Sequence, residues 1–202
     1  MIVDMRDIAR RRNVIILDEP APSDIRGATF QKDDQWYIMV SPYLSREQSN
    51  FTIAHELAEI ELDTDEELTI DERHHMANLR ASEILLPEEK FECLVHDLPL
   101  EELKNKFPHC SYEVIARRTL AFIPRVLTIF DNGDQTLRTG SPELQYPFMI
   151  TETEQQCIRE CYQRKRPCNI TKDNLQLTAH YIDQNTSFIR VILFTEALEL
   201  FD

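Results

Sequence analysis

No run of about 18 apolar residues occurs in the chain, so no membrane-spanning helix is expected. Residues 1–12 likewise lack the apolar stretch that a secretory signal needs. No two cysteines stand at C-x-x-C spacing, which removes the commonest zinc and redox signatures of that residue. Internal repeats and low-complexity tracts are absent, so neither a solenoid nor a long disordered linker is expected. Positive charge is also scarce: 22 Lys and Arg against 36 Asp and Glu give a formal net charge of -14, and a pI of about 4.8. A field of that sign repels a phosphate backbone and disfavours nucleic acid as the main ligand. The one dense basic run, Arg10-Arg11-Arg12, is short and reads as a solvated helix end.

What is present is a globular composition. At 202 residues, 42% hydrophobic and 29% charged, the chain fits one domain, or a domain with a small appendage, and can bury a core without staples. The cysteines number five, an odd count. Cys157 and Cys161 stand four apart on an expected helix with Cys168 a turn or two beyond, and bridging within one helix is geometrically poor. They read as reduced, packed thiols, which places the protein in a reducing cytoplasm.

The pattern along the chain alternates between short strands and helices. An amphipathic start (residues 5–12) leads to the strand Val14-Ile15-Ile16-Leu17, and Pro20, Pro22 and Ser23 punctuate a loop. Residues 27–30 and 36–40 read as strands around the polar turn Lys32-Asp33-Asp34. From 45 to 62 the period changes from two to 3.6, with Ser45 and Gln48 as a capping box. An acidic loop, 63–71, precedes a second helix at 72–86 that Pro87 stops. Shorter helices are expected at 88–96, 100–107 and 112–122. Beyond Arg125, strands at 126–130 and 135–138 flank Asn132-Gly133-Asp134, a hairpin signal. A helix at 151–164, capped by Thr151 and Glu154, precedes strands at 175–181 and 188–194 joined by Asp183-Gln184-Asn185. The expected class is α+β: a region at 1–124 with a small N-terminal sheet and several helices, and a C-terminal ββαββ portion at 125–202.

Chemistry concentrates in Phe51-Thr52-Ile53-Ala54-His55-Glu56-Leu57-Ala58-Glu59. On a helix, residues four apart lie one above the other, so His55 and Glu59 can lean toward one ion. Zinc accepts both imidazole nitrogen and carboxylate oxygen. Glu56, rotated about 100° around the helix, would sit beside the ion, where a general base belongs. The familiar zinc motif is H-E-x-x-H, and this one is H-E-x-x-E. In so acidic a chain the match alone is weak, and Glu56, Glu59 and Glu61 could equally form the wet face of a surface helix. A second helix, however, offers His74-His75-Met76-Ala77-Asn78. An antiparallel return would bring His74, or His75 one register away, against His55 and Glu59. Three ligands with an open fourth position suit a catalytic zinc site.

The stretch from Met5 to Phe122 resembles the ImmA/IrrE family of metallopeptidase-like proteins. That family's core reads R-F-T-x-A-H-E-x-G-H, then E-x-x-A-N-x-F-A-x-x-L-L-M-P. Here the first segment is Asn50-Phe51-Thr52-Ile53-Ala54-His55-Glu56-Leu57-Ala58-Glu59, and the second runs from His74-His75-Met76-Ala77-Asn78 to Leu85-Leu86-Pro87. The family's second ligand is normally histidine and its third glutamate; Glu59 and His74 stand there instead. The inventory of two imidazoles and one carboxylate is kept with two members exchanged. The resemblance implies a zincin-like region in which His55, Glu59 and His74 hold zinc or a similar divalent ion. It also implies metal-assisted peptide hydrolysis with Glu56 as the catalytic base. Tyr37, His96 and His109 are candidates for steadying the oxyanion by chemistry only.

The resemblance further implies a protein partner, a helix-turn-helix repressor cleaved in stress or mobile-element regulation. A competing reading is a peptidase-fold module that binds or senses such a partner without cutting it, motivated by the Glu59/His74 exchange and by Ala58 where glycine is usual. A third is DNA binding through the helices at 100–107 and 112–122, with Lys104, Lys106, Arg117, Arg118 and Arg125 clustered there; net charge counts against it. The portion at 125–202 reads as partner-binding or regulatory.

Overall fold

The computed structural model describes residues 3–20, 25–63, 68–183 and 188–198. The loop residues Pro22 and Ser23, the middle of the acidic loop (64–67) and the turn residues Gln184 and Asn185 lie outside that set. The chain divides into two compact units, 1–115 and 116–202.

The first unit opens with α1 (Met5–Arg11), whose N-cap Asp4 accepts hydrogen bonds from the backbone N–H groups of Arg6 and Asp7. A three-stranded sheet follows, β1 (Val14–Asp18), β2 (Gly27–Lys32) and β3 (Gln35–Val40), in the order β1-β3-β2. β3 runs parallel to β1 and antiparallel to β2. The β2–β3 turn is two residues long, and Asp33 and Asp34 both take positive φ, 50° and 60°. This is a type I′ turn built without glycine, tolerable because short acidic side chains bear the left-handed region better than bulky ones.

Next come α2 (Arg46–Leu62) and α3 (Ile70–Leu85), then the shorter α4 (Glu88–Val95), α5 (Leu100–Lys106) and α6 (Tyr112–Thr119), within which the boundary between units falls. α2 begins at the expected capping box of Ser45 and Gln48. α3 starts two residues before its expected beginning because Thr69 and Glu72 form a second box that the reading of the acidic loop did not use. The two helices run antiparallel: Asp63 meets Arg73, Glu59 meets His74, and Ala58 packs with Ala77. Small residues at that seam let the backbones approach. α6 ends at Thr119, three residues short of the expected end, where Leu120, Ala121 and Phe122 close as turns.

The second unit is a five-stranded antiparallel sheet with one helix. β4 (Val126–Asp131), β5 (Asp134–Gly140), β6 (Cys168–Lys172), β7 (Leu175–Asp183) and β8 (Ile189–Ala197) lie in the order β5-β4-β8-β7-β6. The order of elements is ββαβββ, one strand more than the expected ββαββ. The added strand is β6, which Cys168 opens beyond the end of α7 (Glu152–Arg164). Its hairpin with β7 turns through Asp173 and Asn174, again at positive φ and without glycine. The expected β4–β5 hairpin turns at Asn132 and Gly133, with φ of 52° and 98°.

Cys157, Cys161 and Cys168 sit in the apolar core of this unit with Phe130, Leu177 and Val191. All five cysteines are free thiols. Burial raises the Cys157 thiol to about 12, so it packs as a small hydrophobe. Beside that core, Arg138 and Glu154 form an ion pair at 3.1 Å with side chains 4% and 1% exposed. Glu154 also accepts from Thr195 Oγ1 at 2.8 Å and from the Thr151 backbone N–H at 2.7 Å. Among the described residues no helix is long and apolar enough to cross a membrane.

Candidate metal centre

α2 places its residues by their period. Ile53, Ala54, Leu57 and Ala58 are buried, and this anchors the helix so that His55 and Glu59 share one half-covered face. α3 returns along that face and delivers His74. The ligating atoms converge: His55 Nε2 lies 3.2 Å from Glu59 Oε1, His74 Nδ1 lies 3.1 Å from Glu59 Oε1, and the two imidazole nitrogens are 3.2 Å apart.

That triangle carries information. A tetrahedral ion with bonds of about 2.0–2.1 Å sets its ligand atoms about 3.3 Å apart, and all three edges fall near that figure. Two imidazoles and a carboxylate form a donor set that zinc and several other divalent ions accept. The cluster of His55, Glu59 and His74 could therefore hold a metal ion. Its surroundings are graded: the side chains of His55 and Glu59 are 12% and 24% exposed, while His74 is 60% exposed. One side of the triangle faces protein and the other is open. His75, one position on, is exposed and outside the cluster.

Burial lowers the His55 pKa, and the neighbouring His74 lowers it further, while the Glu59 carboxylate and polar contacts from Glu59 and Asn78 push it back up. The net direction favours the neutral imidazole, which is the ligating form. Asn78 stands one turn beyond His74 on the same face of α3.

Glu56, next to His55 on α2, is buried in protein. It is 7% exposed, and its carboxyl is pushed up to about 7 by burial and by repulsion from Glu59, with a hydrogen bond to Thr29 pulling it partly back. A carboxyl poised near neutrality can both take and return a proton. The close fit of β2 against α2 makes this placement possible. A Cβ at Gly27 would collide with Thr52 Cγ2 and stand 3.2 Å from Glu56 Oε1. Neither Gly27 nor Thr29 was singled out from the sequence. A glycine inside a strand is the one signal that pointed there, since it often marks a close approach.

The other sequence candidates are engaged elsewhere. Tyr37 stacks on Phe30 with ring centroids 5.1 Å apart. His96 caps the end of α4 and is exposed. His109 is 1% exposed and its ring bonds to the Leu85 carbonyl oxygen at 3.0 Å. Of the basic residues near α5 and α6, Lys104 is tied to Glu47 and to the Cys110 carbonyl at 2.5 Å, and Arg118 is buried over the Phe122 ring at 5.1 Å.

Comparison with known proteins bears on this geometry. A solved structure from Mycobacterium tuberculosis, a transcriptional regulator, superposes with a TM-score of 0.69 at 18% identity, over 96% of this chain and 68% of that one. At that identity the likeness is one of fold. No curated protein sequence matches the chain. The model of the IrrE N-terminal-like domain, Peptidase M78, matches residues 9–120. That span is more than half of the chain and contains the triad and Glu56, so the chain belongs to the IrrE N-terminal-like peptidase family.

Proposed function

We propose that this protein is a zinc-dependent endopeptidase of narrow specificity, acting on a regulatory protein partner of helix-turn-helix repressor type in stress or mobile-element control. The observation that carries the reading is the triangle of His55, Glu59 and His74 with a protonatable Glu56 alongside. Family membership supports peptidase chemistry. The transcriptional regulator with the same fold supports a regulatory setting.

In this reading His55 Nε2, Glu59 Oε1 and His74 Nδ1 hold the ion, taken as zinc because it accepts imidazole nitrogen and carboxylate oxygen, with another divalent ion able to replace it. Bound there, the ion supplies Lewis acidity, lowering the pKa of a water from 15.7 toward about 7 and polarising a carbonyl. Glu56 accepts the proton of the attacking water at its carboxylate and later hands it to the leaving amine. The Thr29 hydrogen bond holds that carboxylate in place. β2 is an edge strand, and its unpaired side offers an extended substrate backbone somewhere to pair. The portion at 125–202 is assigned to partner contact or regulation, and the peptidase region to 1–124.

The test is Glu56→Gln. Full metal content with no cleavage of the partner supports the reading; cleavage at the wild-type rate removes Glu56 from its role.

A second reading rests on the exchanged ligands and on Ala58, fully buried where the family pattern has glycine. In it the fold binds or senses the partner without cutting it. Metal-loaded protein that binds its partner for hours and leaves it intact would favour this second reading.

A further inference from the structure

One nitrogen of His55 is left unmet by the triad. Its Nε2 faces Glu59 Oε1 and His74 Nδ1, each at 3.2 Å. Nδ1 is buried and has no hydrogen-bond partner. A neutral imidazole carries a single ring hydrogen, so a ligating Nε2 leaves that hydrogen on Nδ1. A donor buried there without an acceptor is destabilising. Ligating histidines almost always give this second N–H to a carboxylate, a carbonyl or a water. Cut off from solvent, Nδ1 of His55 has to find its acceptor on the chain itself.

The antiparallel seam decides which side chain is at hand. His74 on α3 stands opposite Glu59 on α2. One turn further along α3 is one turn back along α2, so Asn78 comes level with His55 as His74 does with Glu59. An independent effect leads to the same pair. Burial lowers the pKa of the His55 ring, and the Asn78 side chain is among the contacts that raise it. A neighbour that favours the protonated ring does so by accepting from it, and the acceptor of a carboxamide is its oxygen. Asn78 is exposed, so turning its carboxamide onto Nδ1 disturbs no core packing.

We infer that Asn78 is a positioning residue of the metal centre: its Oδ1 takes the Nδ1 hydrogen of His55 and so keeps Nε2 in its ligating form, aimed at Glu59 and His74. The inference rests on the reading of the triad as a metal site.

Zinc affinities of Asn78→Leu and Asn78→Asp, measured by competition with a chelator, test it. Leucine keeps the bulk and removes the acceptor, and affinity is expected to fall about 10–100-fold. Aspartate restores the acceptor and is expected to stay within about tenfold of the wild type. Leu79→Asp, added to Asn78→Leu, brings a carboxylate to the neighbouring exposed position and is expected to rescue nothing. In chelator, Asn78→Leu is expected to melt with the wild type. In zinc-loaded protein with labelled histidine, the His55 Nδ1–H resonance is expected downfield in the wild type and Asn78→Asp, and upfield in Asn78→Leu.

Unchanged zinc affinity in Asn78→Leu, an Nδ1–H resonance that the substitution does not move, a melting temperature lowered equally with and without zinc, or full rescue by Leu79→Asp would each overturn the inference while leaving the triad standing. A wild-type chain that takes up no zinc would instead remove the metal reading, and this inference with it.

Discussion

Glu59 Oε1 on α2 and His74 Nδ1 on α3 stand 3.1 Å apart. The carboxylate occupies the position where the family pattern carries an imidazole, and the imidazole occupies the position of the carboxylate. The contact holds a carboxylate oxygen and an imidazole nitrogen at one point, whichever helix supplies each.

That exchange predicts how ligand variants behave. Glu59→His alone leaves three imidazoles, and His74→Glu alone leaves two carboxylates beside buried Glu56. Each single variant is expected to bind zinc more weakly than the wild type, and the double variant Glu59→His/His74→Glu to regain most of the affinity, because only the wild type and the double variant keep two imidazoles and one carboxylate at the spacing the two helices set. Metal content after dialysis, with competition titration, checks this. A double variant no better than the singles would show that the two positions are not interchangeable.

Metal should also stabilise the fold. Excess zinc at about a thousand times its Kd adds about 4 kcal/mol, seen as a raised melting temperature that His55→Ala removes. An unchanged melt across a zinc titration would count against the triad as a metal site.

Glu56 makes a stability prediction of its own in chelator. Its carboxyl is raised from the usual 4.5 to about 7 by burial and by Glu59. The unfolded chain ionises from about pH 4.5 upward while the folded chain keeps its proton, so folding is increasingly penalised between those two values. Glu56→Gln lifts that penalty and should stabilise the apoprotein by about 2–3 kcal/mol at pH 8, with no gain below pH 4.5. Melts of both proteins across that range decide it; equal stability at pH 8 would mean that Glu56 is not held protonated by its surroundings.

Gly27→Ala should damage the site without touching a ligand. The added Cβ meets Thr52 and approaches Glu56, and overpacking of this kind costs about 1–3 kcal/mol. Zinc binding is expected to survive while any hydrolytic activity falls more than stability does. Wild-type melting behaviour in this variant would show that α2 and β2 can separate freely there.

In the second unit, Glu154 is buried, which by itself raises its pKa, yet the Thr151 backbone, Thr195 and Arg138 together hold it below the ordinary carboxylate value. A carboxyl lowered on folding stabilises above its unfolded pKa and loses that contribution as pH falls through the folded one. Glu154→Ala strands the Arg138 guanidinium, at a cost of about 3–5 kcal/mol above pH 5, with less difference from wild type in acid. Hydrogen exchange of β7 and β8 amides reads this directly. Undiminished protection there would show that the pair is dispensable.

Much of this architecture was written locally. The capping boxes at Ser45/Gln48 and Thr151/Glu154 are satisfied within a single helical turn, and the Asn132-Gly133 turn needs only its own backbone preferences. Such features depend on neighbours in the chain, so they could be read without coordinates. β6 escaped because its hairpin turns through Asp173-Asn174 without glycine, and because its five residues, Cys168-Asn169-Ile170-Thr171-Lys172, are mostly exposed and carry little apolar alternation.

The pairing of His55 with Glu59 belongs to the sequence too, since the period of the helix alone puts both on one face. Which imidazole completes the set was beyond it: His74 and His75 differ by one position, and on a helix one position is a turn of about 100°. Only the packing of α3 against α2, through Ala77 and Ala58, decides that His74 rather than His75 meets Glu59. The environment of Glu56 is tertiary in the same way. Its burial and its Thr29 contact come from a strand that lies more than twenty residues earlier and meets α2 only in the folded chain.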